Sequence, residues 1–183
     1  AIAAHLTAKG AFGERALLMY PPGLDFVAGF LGCLFAGAIA VPAFPPRRNR
    51  NNDRIQAISY DAHAKFALTT REVIDRVEVA IDGAPELKRL DWIATEQISS
   101  AEADEWRAPN ITSDSVAVLQ YTSGSTGAPK GVVLRQRNLV HNVQLITTCF
   151  RPTRAHVGMS WLPTYHDMGL VGGLLMPLYV GRP

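Results

Sequence analysis

The sequence predicts an α/β protein built on a mainly parallel sheet, and three observations carry that prediction. Short apolar runs rich in branched residues alternate with stretches whose apolar residues recur at helical spacing. Tight Pro- and Gly-containing turns separate them, so strand, helix and strand follow one another as βαβ units, which imply parallel strands and right-handed crossovers. With 48% hydrophobic and 19% charged residues over 183 positions, the chain has the composition of an ordinary globular domain, which excludes a disordered or collagen-like protein. A net charge of +2 is too small to argue for a nucleic-acid partner.

The first strand is read at residues 16–20, Ala-Leu-Leu-Met-Tyr, closed by Pro21, Pro22 and Gly23. Residues 26–44 then carry no charge over nineteen positions, nearly the length of about 20 apolar residues that a membrane span needs. Gly37 and Pro42 interrupt the stretch, so it reads as a buried helix over 24–37 followed by a strand over 39–43, and no membrane span is expected. Gly29, Cys33 and Gly37 make a small-residue stripe on that helix, suited to close packing on a sheet. After Pro45 and Pro46 comes a polar loop with Arg47, Arg48, Arg50 and Arg54, open to two readings: a solvated loop or an electropositive docking surface.

A second helix begins near Asp53, with Ile55, Ile58 and Ala62 on one face, and residues 66–69 form the next strand. Thr69 and Glu72 have capping-box spacing. Val73, Ile74, Val77, Ala80 and Ile81 predict a helix over 70–81. Residues 87–93 read as a further strand, and the acidic stretch 96–115 as a surface excursion. Cys33 and Cys149 both lie in apolar runs and read as buried free thiols, which suits a reducing, cytoplasmic setting. The chain starts without Met and stops just after an apolar run, so both ends read as cut, and no basic segment precedes an apolar stretch to make a signal peptide.

The chemistry is concentrated in VAVLQYTSGSTGAPKGVVLRQRN, which starts at Val116. Residues 116–121 form a strand, and the next nine residues pack two Gly, two Ser, two Thr, a Pro and a Lys. Gly124 and Gly127 let backbone N–H groups converge, while Thr122, Ser123, Ser125 and Thr126 add hydroxyls and Lys130 a charge. Such a nest can wrap a polyphosphate. A Walker loop fails on detail: counting from Gly124, its sixth position is Pro129 instead of Gly, and Gly131 stands where the magnesium-binding Ser or Thr belongs. The sequel is a returning strand, 132–134, and the helix comes later, with Asn138 as N-cap and Leu139, Val143, Ile146 and Phe150 on one face.

YTSGSTGAPKGVV resembles the signature loop of the AMP-forming, adenylate-forming enzymes. The resemblance implies that Thr122, Ser123, Gly124, Ser125, Thr126, Gly127 and Lys130 belong to an ATP phosphate-binding loop set between two antiparallel strands. Downstream, SWLPTYHDMGL at 160–170 is similar to the W-L-P-x-x-H-D-M-G-L segment of fatty acyl-AMP ligases, as are YPPGLDF, GCLFAGAIAVPAFPPRRNRN and LQYTSGST. The resemblance covers essentially the whole chain but only the N-terminal portion of such an enzyme. It implies that residues 1–183 are a partial N-terminal adenylation domain, without the family's adenine- and ribose-binding segments, hinge or C-terminal domain.

On its residues alone His166, beside Asp167, reads either as a structural pair or as a catalytic group. The resemblance favours the catalytic role, next to the reacting carboxylate and the α-phosphate. Gly169, Gly172 and Gly173 read as places where an acyl chain passes close to backbone, and Leu170, Val171, Leu174, Leu175 and Met176 as core or tunnel wall. No His has zinc-ligand spacing. The implied reaction joins a fatty acid to ATP, with Mg²⁺ shielding the phosphates, and hands the acyl group to an acyl carrier protein. An acyl-CoA synthetase and a non-catalytic nucleotide-binding or docking module are the competing readings. The chain by itself is expected to be inactive.

Overall fold

In the computed structural model, which describes residues 1–46, 52–78, 83–122, 129–153 and 155–181, the chain winds around one mixed sheet. Helix α1 (Ile2–Ala8) leads into strand β1 (Arg15–Leu18), helix α2 (Leu24–Ala36) and strand β2 (Ile39–Pro42). Helix α3 (Asp53–Ala62), strand β3 (Phe66–Thr69), helices α4 (Arg71–Glu78) and α5 (Pro85–Lys88) and strand β4 (Asp91–Ala94) follow. The chain then reaches strands β5 (Val116–Thr122) and β6 (Lys130–Arg135), helix α6 (Gln136–Phe150), a π-helical segment (Met168–Leu175) and helix α7 (Met176–Val180). The strand order is β4-β3-β1-β2-β5-β6, parallel throughout except for the antiparallel β5–β6 pair.

Two apolar layers flank the sheet, and the period-2 alternation of a strand sorts side chains between them. Ala16, Leu18 and Tyr20 pack with α2, while Leu17 and Met19 face Ile55, Ile58 and Ala62 of α3. Gly29 of the small-residue stripe is used for contact, since a Cβ there would fall 2.4 Å from the Tyr20 hydroxyl; Gly32, outside the stripe, serves α1, where a Cβ would fall 2.4 Å from the Ile2 side chain. Gly37 ends the helix in the left-handed conformation at φ 69°. Among the described residues no helix is long and apolar enough to cross a membrane.

Several sequence expectations are corrected. The single strand expected at 87–93 is a helical turn and then a strand: Pro85 opens α5, buried Leu87 anchors it, and the Trp92 indole N–H donates to the Leu87 carbonyl at 2.9 Å. The Thr69–Glu72 capping box does not form, because the buried Thr69 hydroxyl donates to the Met19 carbonyl at 2.6 Å and Glu72 pairs with Arg76 at 3.2 Å. Ala80 and Ile81, expected in the same helix, lie outside the described residues.

Helix α6 starts two residues before the expected N-cap. Asn138 sits in its first turn and accepts from the Arg135 backbone N–H at 2.9 Å, which satisfies a helix-start donor from inside. Leu139 and Val143 are buried on that helix but Phe150 is exposed. Cys33 is buried as expected, whereas Cys149 is exposed, because it lies off the buried face of α6. The excursion 96–115 is tied down by the short 3₁₀ segments Thr95–Gln97 and Ser100–Glu105. Glu102 meets His5 of α1 at 3.0 Å, and Trp106 packs edge-on against Phe35 of α2.

Candidate active site

The direction of the chain through the sheet opens a crevice between β2 and β5. These strands are neighbours and parallel, but from β2 the chain continues toward β3 on one side, and from β5 toward β6 on the other. Connections that leave in opposite directions cannot fill the space above the strand ends, and such switch points are where open α/β sheets hold ligands. A cleft of about 640 Å³ lies there. Residues 42–46 after β2 line one wall, and Gln120, Tyr121 and Thr122 at the end of β5 line the next. Arg54 of α3 and the Tyr165-His166-Asp167 segment complete it.

Of the residues read as a phosphate loop, Thr122 lines this cleft. Thr122 and Lys130 are register partners across the antiparallel β5–β6 ladder, and a strand, not a helix, begins at Lys130. Thr122 and Lys130 are both exposed. Ser123, Gly124, Ser125, Thr126 and Gly127 lie outside the described residues, as do Arg47, Arg48 and Arg50. At the base of the pair, a Cβ on Gly131 would lie 2.9 Å from the Tyr121 ring, so the absence of a side chain there lets the ring lie across the partner strand. The Tyr121 hydroxyl donates to the Asp61 carboxylate of α3. Partial burial and that carboxylate push the phenol well above its ordinary range, so it stays a donor at neutral pH.

His166 follows an irregular stretch, 155–165, with no strand in it. It is carried by a turn in which its N–H bonds the Pro163 carbonyl at 3.1 Å. Its Nδ1 meets the Asp167 carboxylate at 2.6 Å, and the same Asp167 oxygen accepts from the Met168 N–H at 2.6 Å, capping the π-helical segment. With Nδ1 engaged, Nε2 is the ring nitrogen left for a ligand among the described residues. The π-helical segment packs so tightly on this turn that a Cβ on Gly169 would sit 2.0 Å from the Pro163 carbonyl oxygen. π-helical turns are rare and recur at functional sites.

Of the three glycines read as acyl-chain passages, Gly169 lies against the protein's own backbone and Gly173 against the Ser160 side chain, whereas Gly172 faces open space. Leu170 is fully buried, and Leu174 and Leu175 pack against the core. Sequence reasoning missed Gln120 and Asp61. For Gln120 a signal was present: it is a polar residue at an inward-facing position of an otherwise apolar strand.

The sequence profile of the AMP-binding enzymes matches residues 1–183, the whole chain. The chain belongs to the AMP-binding enzyme family. Within that family it is 43% identical over 187 aligned residues to the medium-chain-fatty-acid–[acyl-carrier-protein] ligase JamA of Moorena producens, covering 100% of this chain and 32% of JamA. It is 38% identical to the long-chain-fatty-acid–AMP ligase FadD23 of Mycobacterium tuberculosis, over 98% of this chain and 32% of that protein. A crystal structure of the fatty acyl-adenylate ligase from L. pneumophila, in complex with acyl adenylate and pyrophosphate, superposes with a TM-score of 0.90 at 40% identity. It covers 99% of this chain and 31% of the ligase. The chain thus spans about a third of the length of the relatives it matches.

Proposed function

We propose that this chain is the phosphate- and carboxylate-handling part of a fatty acyl-AMP ligase, within the family's N-terminal adenylation domain. The observation that carries the reading is the meeting of Thr122, where the Gly- and hydroxyl-rich loop begins, with His166 on one cleft at the β2–β5 switch point. A fatty acid carboxylate oxygen attacks the α-phosphorus of ATP, and the bond from that phosphorus to the bridging oxygen breaks, leaving acyl-AMP and pyrophosphate. No proton has to move, so the protein's task is alignment and neutralisation of charge.

Thr122, Ser123, Gly124, Ser125, Thr126, Gly127 and Lys130 hold the β- and γ-phosphates. His166, oriented by Asp167, sits by the carboxylate and the α-phosphate. Mg²⁺ fits this donor set as a nucleotide-borne ion, since it prefers phosphate and water oxygens with only one or two from protein; the Thr122 hydroxyl and loop carbonyls are the oxygens on offer. When bound, it shields phosphate charge. The acyl group then passes to an acyl carrier protein, a fatty acid and that carrier being the two partners. The unpaired cysteines suit a cytoplasmic setting.

ATP–pyrophosphate exchange with a long-chain fatty acid tests this in the longer protein that carries the chain. A lost charged contact to phosphate costs about 1.5–3 kcal/mol, so Thr126→Ala and Lys130→Ala should slow exchange about tenfold to a hundredfold while the melting temperature holds. Normal exchange by both variants would remove the phosphate assignment. Thioester formation on carrier protein, with coenzyme A inert, is the expected second half; the reverse preference would make the protein an acyl-CoA synthetase.

A further inference from the structure

Gln120 is a buried polar residue that the proposed chemistry leaves without a task. Only 8% of its surface is exposed, and Val118, on the same face of the strand, is fully buried. Its Nε2 donates to the backbone carbonyl of Tyr165 at 2.9 Å, a contact between residues 45 positions apart in sequence. Its Oε1 is buried with no hydrogen-bond partner among the described residues. The amide cannot be turned the other way, because the Tyr165 carbonyl accepts and only an N–H can answer it. An acceptor unmet among the described residues works against stability, which sets the Gln120 amide apart from an ordinary buried hydrogen-bonding group.

We infer that Gln120 is a positioning residue that holds His166 in register with the phosphate loop. The inference rests on the reading of His166 and the loop proposed above. Gln120 and Thr122 share a face of β5 and stand two residues apart, about 7 Å along the strand. One hydrogen bond from that strand fixes the carbonyl of Tyr165, the residue immediately before His166. A second constraint holds the other side of Tyr165, whose ring lies 3.8 Å, centroid to centroid, from Phe44 beyond β2. The backbone entering His166 is therefore pinned between the ends of the two strands that frame the cleft. Thr122 and the imidazole lie on segments with no local connection, and the Gln120 amide ties the strand of one to the turn of the other.

The test uses the longer protein that carries this chain, with ATP–pyrophosphate exchange and thermal melting on Gln120→Leu, Gln120→Met, His166→Ala and the Gln120→Leu/His166→Ala double variant. Leu and Met keep the volume and remove both the donor and the unmet acceptor. The expected result is a melting temperature lowered only slightly, because the lost bond to the Tyr165 carbonyl is offset by the lost unmet acceptor. The kcat should fall about tenfold or more and KM for ATP stay within about twofold, because misplacement of a reacting group falls on the turnover step. The double variant should be no slower than His166→Ala alone, since Gln120 acts through His166. Unchanged kcat in the Leu and Met variants, or losses that multiply in the double variant, would overturn the inference. So would failure of both apolar variants to fold, which would make the amide structural. Normal exchange by His166→Ala would instead remove the site reading on which the inference stands.

Discussion

At Gly169 the protein has no room for even a methyl group. A Cβ would stand 2.0 Å from the Pro163 carbonyl oxygen and 2.6 Å from its carbon, and backbone cannot swing away as a side-chain tip can. Gly169→Ala should therefore cost about 1–3 kcal/mol in urea unfolding and shift the turn that carries His166. Gly172, three residues on in the same segment, faces open space, and Gly172→Ala should be neutral or stabilising by up to about 1 kcal/mol. Equal effects at the two positions would refute the packing described for the π-helical segment.

The cysteines differ in the same residue-level way. Burial pushes the Cys33 thiol up to about 12, whereas Cys149 is exposed. At pH 8 an aromatic disulfide reagent should titrate one thiol at once and the second only on unfolding. Since the unfolded thiol ionises near 9.0 and the folded one near 12, the unfolded state binds fewer protons between those values. Cys33 thus makes stability fall as pH rises through that window. Cys33→Ala should flatten the alkaline fall in stability.

At the scale of elements, α2 does most to join the parts. Its Phe26 and Phe30 rings stack at 6.1 Å, Phe26 meets Tyr20 edge-on at 6.3 Å, and its glycines admit both the sheet and α1. Phe30 is fully buried, so Phe30→Ala should cost about 3–5 kcal/mol in chemical denaturation, through lost transfer energy and the cavity left behind. A much smaller loss would mean that the core under α2 relaxes to fill the space. The β5–β6 hairpin is the other decisive element. Its ladder pairing runs to Thr122 and Lys130, the two described residues of the proposed phosphate loop at its ends.

For the whole molecule, the uneven distribution of apolar surface matters most. Met159 is 90% exposed and Trp161 is 86% exposed, with Phe150 and Val157 also open. Exposed apolar side chains on this scale favour contact with other surfaces, and the relatives are about three times as long as this chain. Residues 1–183 alone should self-associate with rising concentration in sedimentation velocity, and Met159→Ser with Trp161→Ser should reduce it. They should also show no ATP–pyrophosphate exchange, since on the proposed reading the loop and His166 supply only one wall of a two-reactant site. A monodisperse, exchanging chain would contradict both expectations.

Local chemistry determined much of this protein from the sequence alone. Period-2 and period-3.6 patterns located β1, β2, β3, α2 and α3 to within about two residues, because one buried face imposes its period on the residues that form it. The same reasoning separated the loop from a Walker loop, since Pro129, Gly131 and the strand after Lys130 are local facts. Tertiary structure decided which strand ends stand together. Nothing in the pattern of β2 or β5 says that they are neighbours with diverging exits, yet that adjacency makes the cleft. Thr69 could cap a helix by its spacing, but the carbonyl of buried Met19, just past β1, claimed its hydroxyl. Gln120 was visible as a polar residue in an apolar strand, while its partner lay 45 positions away. A side chain's period tells which face it occupies; what it meets there is settled only when the chain folds back on itself.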